Sequence, residues 1–220
     1  MSGIQVKTEP AQEPVTLQEV KDYLRVEDNT DERVIRPFIE TARRIAEEYL
    51  GRTLVSTTYT QFLDSFNELE DPLWEGVKTG PYLNFYKNYI VLAESPVTSV
   101  THVKTFNDSD ETTTMAASKY YLDSAREPSR IVLRTGETFP TALRVANAIE
   151  IEFVAGYSSI YSIPEPIRMG ILQHIAHLYE HRGDMGNYLE ARIIPPMIKA
   201  LYAPYIIHKG LGSSSLMAIG

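Results

Sequence analysis

The hydrophobic period of this chain changes twice. From residue 16 to 50 apolar side chains return every three or four positions. From 53 to 157 they return mostly every second position, and from 166 onward the three-to-four spacing resumes. Amphipathic helices therefore flank a β-rich middle. A one-sided helix must cover its apolar stripe, and helices at both ends can cover each other. This order predicts an α+β chain: a small helical bundle of N-terminal and C-terminal helices, with an antiparallel β-rich region inserted between them.

The first helix has a capping box, Thr16 with Glu19, and a hydrophobic staple from Val15 to Val20. Its expected inner face is Leu17, Val20, Tyr23 and Leu24. The second helix is expected from Asp31 to Leu50, with Ile35, Phe38, Ala42, Ile45 and Tyr49 as its stripe and Gly51 as its stop. Pro37 lies inside that pattern and predicts a kink near Arg33 or a separate first turn. Later helices are expected from about Pro166 to Arg182, ended by Gly183, and from about Pro196 to Ile207. The first of these carries Ile167, Ile171, Ile175 and Leu178 on its apolar face. The second carries Met197, Leu201, Tyr202 and Tyr205.

In the middle, 55–63, 82–92, 97–106, 120–122 and 131–133 read as strands. The clearest is Ile149-Glu150-Ile151-Glu152-Phe153, apolar on one face and acidic on the other. Short strands between turn-rich segments point to a small antiparallel sandwich or barrel. The expected layout is a flexible arm at 1–14, a helical bundle of 15–52 plus 164–209, and a β-rich domain at 53–163. An acidic loop at 64–81 and a docking tail at 210–220 complete it.

Charge and composition narrow the function. The 220 residues include 21 Lys and Arg against 29 Asp and Glu, a formal net charge of −8, and no cysteine. Absent cysteine removes disulfides, thiolate metal sites and thiol nucleophiles. The acidic balance argues against a general nucleic-acid binder. The N-terminus lacks the basic start and apolar run of a secretory signal, and no stretch has the length of a membrane span. A soluble cytoplasmic chain is expected, with no membrane partner.

Catalytic motifs are sparse. His177-Leu178-Tyr179-Glu180-His181 matches H-x-x-E-H, the inverted zincin pattern of two zinc ligands and a water-polarising Glu. A third ligand is hard to find, because Asp184 and Glu190 are the only acids after His181. With His174, these residues sit at the boundary of the apolar stripe, which favours boundary or subunit-contact histidines. Asp64, Glu68, Glu70, Asp71 and Glu75 lack calcium-loop spacing and read as a solvated acidic loop. Arg43 and Arg44 are placed on the polar side of the second helix, in salt bridges or subunit contacts. No phosphate-cradling loop, dinucleotide fingerprint or nucleophile elbow occurs. We expect no cofactor, no metal and no catalytic residue. The tail differs: Leu211, Leu216, Met217 and Ile219 lie in or beyond a Gly/Ser linker, where a disordered end would avoid apolar residues. An extended segment of this kind can add to a partner's sheet edge. With Tyr205 these are the expected partner-binding residues.

The order of these pieces resembles the phage head–tail connector (adaptor) proteins of long-tailed phages. The resemblance runs through Thr16–Arg25, the acidic turn at 26–31, Ile39–Arg52 with its Gly51-Arg52 ending, and Pro96-Val97-Thr98-Ser99-Val100. It continues through Glu150–Tyr157, Pro164–Arg182 and Pro195–Tyr205. The long acidic loop, Pro37 and the tail length depart from it. The resemblance implies a non-enzymatic virion part: a dodecameric ring under the portal protein that extends the DNA channel and carries neck or tail-completion proteins. Genomic DNA would pass through without sequence-specific binding, and the location would be the virion neck after assembly in the host cytoplasm. The alternatives are another neck or tail-completion protein, or a zinc hydrolase using residues 177–181.

Overall fold

The computed structural model describes residues 3–66, 88–182 and 194–207. They fall into two compact units. One holds the described parts of 1–9 and 57–155, and the other holds 10–56 and 156–207.

In the helical unit, α1 spans Leu17–Leu24, α2 Glu32–Leu50 and α3 Glu165–Glu180. The short α4, Pro196–Tyr202, runs into a 3-10 turn at Ala203–Tyr205. The capping box of α1 is present: the Glu19 N–H donates to the Thr16 hydroxyl at 3.2 Å, and the Thr16 N–H to the Glu19 carboxylate at 2.7 Å. Gly51 ends α2 at φ 65, the left-handed cap that glycine adopts without strain.

Three expectations about these helices change. The α2 helix continues through Pro37. The proline sits early, so it removes one intrahelical bond, to the Arg33 carbonyl, near an end already short of partners. The buried stripe of α2 is Ile35, Ile39, Ala42, Arg43, Ala46 and Leu50, while Phe38, Ile45 and Tyr49 pack along its flank. Small Ala42 and Ala46 face the centre because neighbouring helices approach there. Arg43 is therefore not on the polar side. It is 5% exposed and bonds Glu13 through Nε at 2.7 Å and Glu47 through Nη1 at 2.8 Å. Tyr23 and Met197, expected inside, are exposed.

The core joins α2, α3 and α4 through Ile35, Leu50, Ile167, Ile171, Ile175, Ile198 and Tyr202. Gly170 makes the α3–α4 contact possible: a Cβ there would lie 2.3 Å from Cε1 of the fully buried Tyr202. Gly170→Ala gains about 1 kcal/mol of helix propensity. Overpacking against an immobile ring outweighs that, for an expected net loss of about 1–3 kcal/mol. Chemical denaturation checks this, and the loss should shrink in a Tyr202→Leu background. An equal loss in both backgrounds would rule out the ring as the cause.

In the β unit, β1 is Gly3–Thr8, β2 Thr57–Leu63, β3 Tyr89–Val91 and β4 Val97–Phe106. Then come β5 Thr112–Thr114, β6 Tyr120–Asp123, β7 Arg130–Leu133 and β8 Ile149–Ala155. A five-stranded antiparallel sheet has the order β1-β2-β8-β4-β5, and a three-stranded one the order β3-β7-β6. Both sheets contribute to one core, with Leu63, Val103, Ile149, Ile151 and Phe153 from the first and Ile90, Tyr120, Ile131 and Leu133 from the second. This matches the sandwich expectation.

The flexible-arm expectation is corrected. Residues 3–8 pair with β2 as an edge strand, exposed along its whole length. Ile4 and Val6 alternate with polar residues, which is a strand signal, though too short to stand out beside Pro10 and Pro14. Most of the 64–81 loop, part of the 82–92 strand, Gly183 and the 210–220 tail lie outside the described residues.

Candidate functional site

The H-x-x-E-H helix is α3. The His177 and His181 rings lie 4.3 Å apart, and His181 Nδ1 donates to the His177 carbonyl at 2.8 Å. Glu180 is exposed. His174 is not a boundary residue: it is fully buried, and neither ring nitrogen has a hydrogen-bond partner among the described residues. Burial, with His177 nearby, pushes its pKa from 6.5 down to about 4. Among the described residues no three His, Asp or Glu side chains converge where they could hold a metal ion. Glu190 lies outside the described residues.

The β8 pattern forms as expected. Ile149, Ile151 and Phe153 are fully buried, while Glu150 and Glu152 take the other face. That face is not a bare acidic surface. A bulge in β4 sets His102 opposite Glu152. His102 Nε2 lies 2.9 Å from Glu150, Lys104 Nζ lies 3.3 Å from it, and Lys7 of β1 pairs with Glu152. Burial alone would raise the Glu150 pKa, but the hydrogen bonds from His102 and Lys104 hold it below the usual value. These charges tie β1, β8 and β4 together, so their first role is to set strand register.

A groove of about 660 Å3 opens in the helical unit, between Val15 and Leu17, Arg36 and Ile39 of α2, and Tyr161. Tyr161 is 80% exposed at its edge. The start of α1 is pinned to α3 there. Arg168 donates to Glu19 and, at 3.2 Å, to the Pro14 carbonyl. Burial works against the Glu19 carboxylate, yet the Thr16 and Arg168 hydrogen bonds keep its pKa lowered.

Of the expected partner-binding residues, Tyr205 is described. It is half-buried and packs against the helical core. Leu211, Leu216, Met217 and Ile219 lie outside the described residues, as do Glu68, Glu70, Asp71 and Glu75. Asp64 is described, and its carboxylate accepts the Asn147 N–H at 2.7 Å. Among the described residues no helix is long and apolar enough to cross a membrane.

Among the described residues the geometry offers contact surfaces and charge pairs. Comparison narrows the class. Residues 14–73 match the family model described as "Phage gp6-like head-tail connector protein". A chain from the neck of an empty gene transfer agent (GTA) particle, computed with C6 symmetry, has the same fold. Its TM-score is 0.71 at 20% identity, over 96% of this chain and 98% of that one. A chain from the virion of the native GTA particle gives 0.70 at 18% identity, with the same coverage. One from the neck of the native particle, computed with C12 symmetry, gives 0.65 at 21%, again over 96% and 98%. No curated protein matches. The family match covers residues 14–73, and the likeness of fold covers nearly the whole chain.

Proposed function

We propose that this chain is a structural, non-enzymatic adaptor of a phage-type virion neck. Copies form a ring beneath the portal, extend the DNA channel and present a platform for neck or tail-completion proteins. The observation that carries this reading is the coincidence of two independent likenesses. The family match spans α1 and α2, and the fold shared with GTA neck chains spans 96% of the residues. A twelve-membered ring is the corresponding symmetry, by analogy with the C12 neck of the native GTA particle. The decisive experiment is co-purification with a portal protein, followed by subunit counting by electron microscopy. A chain that neither binds a portal nor forms rings on it overturns the reading.

Two features acquire roles within it. The net charge of −8 suits a channel wall that repels phosphates, so DNA slides without being gripped. A ring whose lumen is basic would contradict this. The tail residues Leu211, Leu216, Met217 and Ile219, with Tyr205 at its base, dock on the portal as an extended segment. Deleting 211–220 should abolish portal binding in a pull-down while the circular dichroism spectrum and melting temperature of the body stay unchanged. Retained binding would exclude the tail as the anchor.

A further inference from the structure

The outer face of the three-stranded sheet has an unusual make-up for so acidic a chain. Register places Tyr89, Val132 and Tyr121 in one row across β3, β7 and β6. Their sequence neighbours Ile90, Ile131, Leu133 and Tyr120 fill the core, so this row faces away from it. Tyr121 is 46% exposed. Arg130 lies over the Tyr89 ring at 5.0 Å, and Arg134 over the Tyr121 ring at 5.8 Å. Arg130 is neutralised by Asp123 at 2.8 Å. Arg134 has no carboxylate partner among the described residues, and its ring contact holds the guanidinium against the sheet. Tyr and Arg ordered in this way are what dominates protein–protein contacts, because little side-chain freedom remains to be lost on docking.

The same unit carries a complementary element. The turn between β4 and β5, residues 107–111, projects Asp108, Asp110 and Glu111. Asn107 Oδ1 holds it by accepting the Ser109 N–H at 3.0 Å and the Glu111 N–H at 2.9 Å. Asp110 pairs with Arg144 at 2.9 Å, whereas Asp108 is exposed and has no partner among the described residues. A phosphate backbone fits the Tyr121 face less well than a carboxylate-bearing protein does. Asp123 and Glu137, paired with Arg130 and Lys119, already place negative charge beside the cations.

We propose that the Tyr121–Arg134 face is the subunit contact of the ring, and that it receives the acidic 107–111 turn of a neighbouring copy. Two different patches meeting in this way make a heterologous contact, which propagates head to tail beyond a dimer and closes into a ring when the rotation between copies completes a circle. The inference rests on the ring reading above.

The cysteine-free sequence allows a clean test. The full chain carrying both Thr135→Cys and Ser109→Cys, at exposed neighbours of Arg134 and Asp108, is treated with a bis-maleimide crosslinker, on the free protein over a concentration series and on assembled particles. A ladder of linked species beyond the dimer is expected from the double variant, and none from either single variant. Charge reversal adds a second arm. Arg134→Glu or Asp108→Lys alone should weaken self-association about tenfold, and the two together should restore most of it. Rings seen by electron microscopy with no ladder and no reversal effect overturn this inference while leaving the ring intact. Absence of rings in any preparation overturns the ring reading, and this contact with it.

Discussion

Gly156→Ala is expected to cost at least about 3 kcal/mol of folding stability, enough to leave a marginal domain largely unfolded. Gly156 has φ +110, outside the range that an L side chain adopts comfortably. A Cβ there would lie 2.3 Å from the Val55 carbonyl oxygen, 2.4 Å from its carbon and 2.8 Å from the Ser56 nitrogen. All three are backbone atoms, so no rotamer change relieves the clash. The backbone itself is pinned, because Val55 and Tyr157 form a parallel bridge and the Tyr157 N–H donates to the Leu54 carbonyl at 3.3 Å. Arg52 donates to the Tyr157 hydroxyl at 2.8 Å. Gly136 is the internal control, with φ +88 and nothing within 4 Å of the added carbon. Gly136→Ala should cost only the conformational part, about 1 kcal/mol. Denaturant midpoints for the two variants measure the difference. Equal losses would show that close approach is not what demands glycine at 156.

Acid should weaken the helical unit in a window set by His174. Burial holds the folded-state pKa near 4, against 6.5 for a free imidazole. The unfolded chain therefore binds the proton more tightly, and stability falls as pH drops. It is complete above 6.5, declines through the interval and levels off below 4, for a total of about 3 kcal/mol. Carboxylates whose values are lowered by their partners, Glu19 and Glu150 among them, begin to lose their contribution near their ordinary value of 4.5, at the acid end of the His174 window. Replacing His174 by Leu should remove the fall in stability between pH 6.5 and 4, leaving Glu47, whose value burial raises, to act there with the opposite sign. It should leave stability at neutral pH unchanged or higher, since two buried unpartnered nitrogens disappear. An equal fall over the same interval in the variant would assign the acid response to another group.

His174 also shows where sequence reasoning reached its limit. Angular position on α3 puts it beside the apolar stripe, and that much was legible. Its burial depends on how closely other helices approach α3, as α4 does at Gly170 and Tyr202, and pairwise closeness of that kind has no signature in a periodic pattern. The same holds for Arg43, which is buried because Glu13 and Glu47 converge on it. Local rules did well where the physics is local. The capping box at Thr16, the glycine stop at Gly51 and the alternation through 149–153 all stand in the fold as read. Edge strands β1 and β5 escaped because they bury little, and burial is what writes a hydrophobic period. The Tyr121–Arg134 face escaped for another reason: its residues come from three strands, and only the pairing register brings them into one row.

The connectivity has a bearing on how the protein is made. Residues 10–56 belong with 156–207, and the strand at 3–8 pairs with one that starts at 57. On the ribosome, α1 and α2 emerge with their apolar faces uncovered and wait for a further hundred or so residues before α3 exists to cover them. Truncated translation products should therefore be captured by chaperones and cleared by proteases, so that only finished chains accumulate for assembly. A quality check on completeness is thus built into the order of the helices.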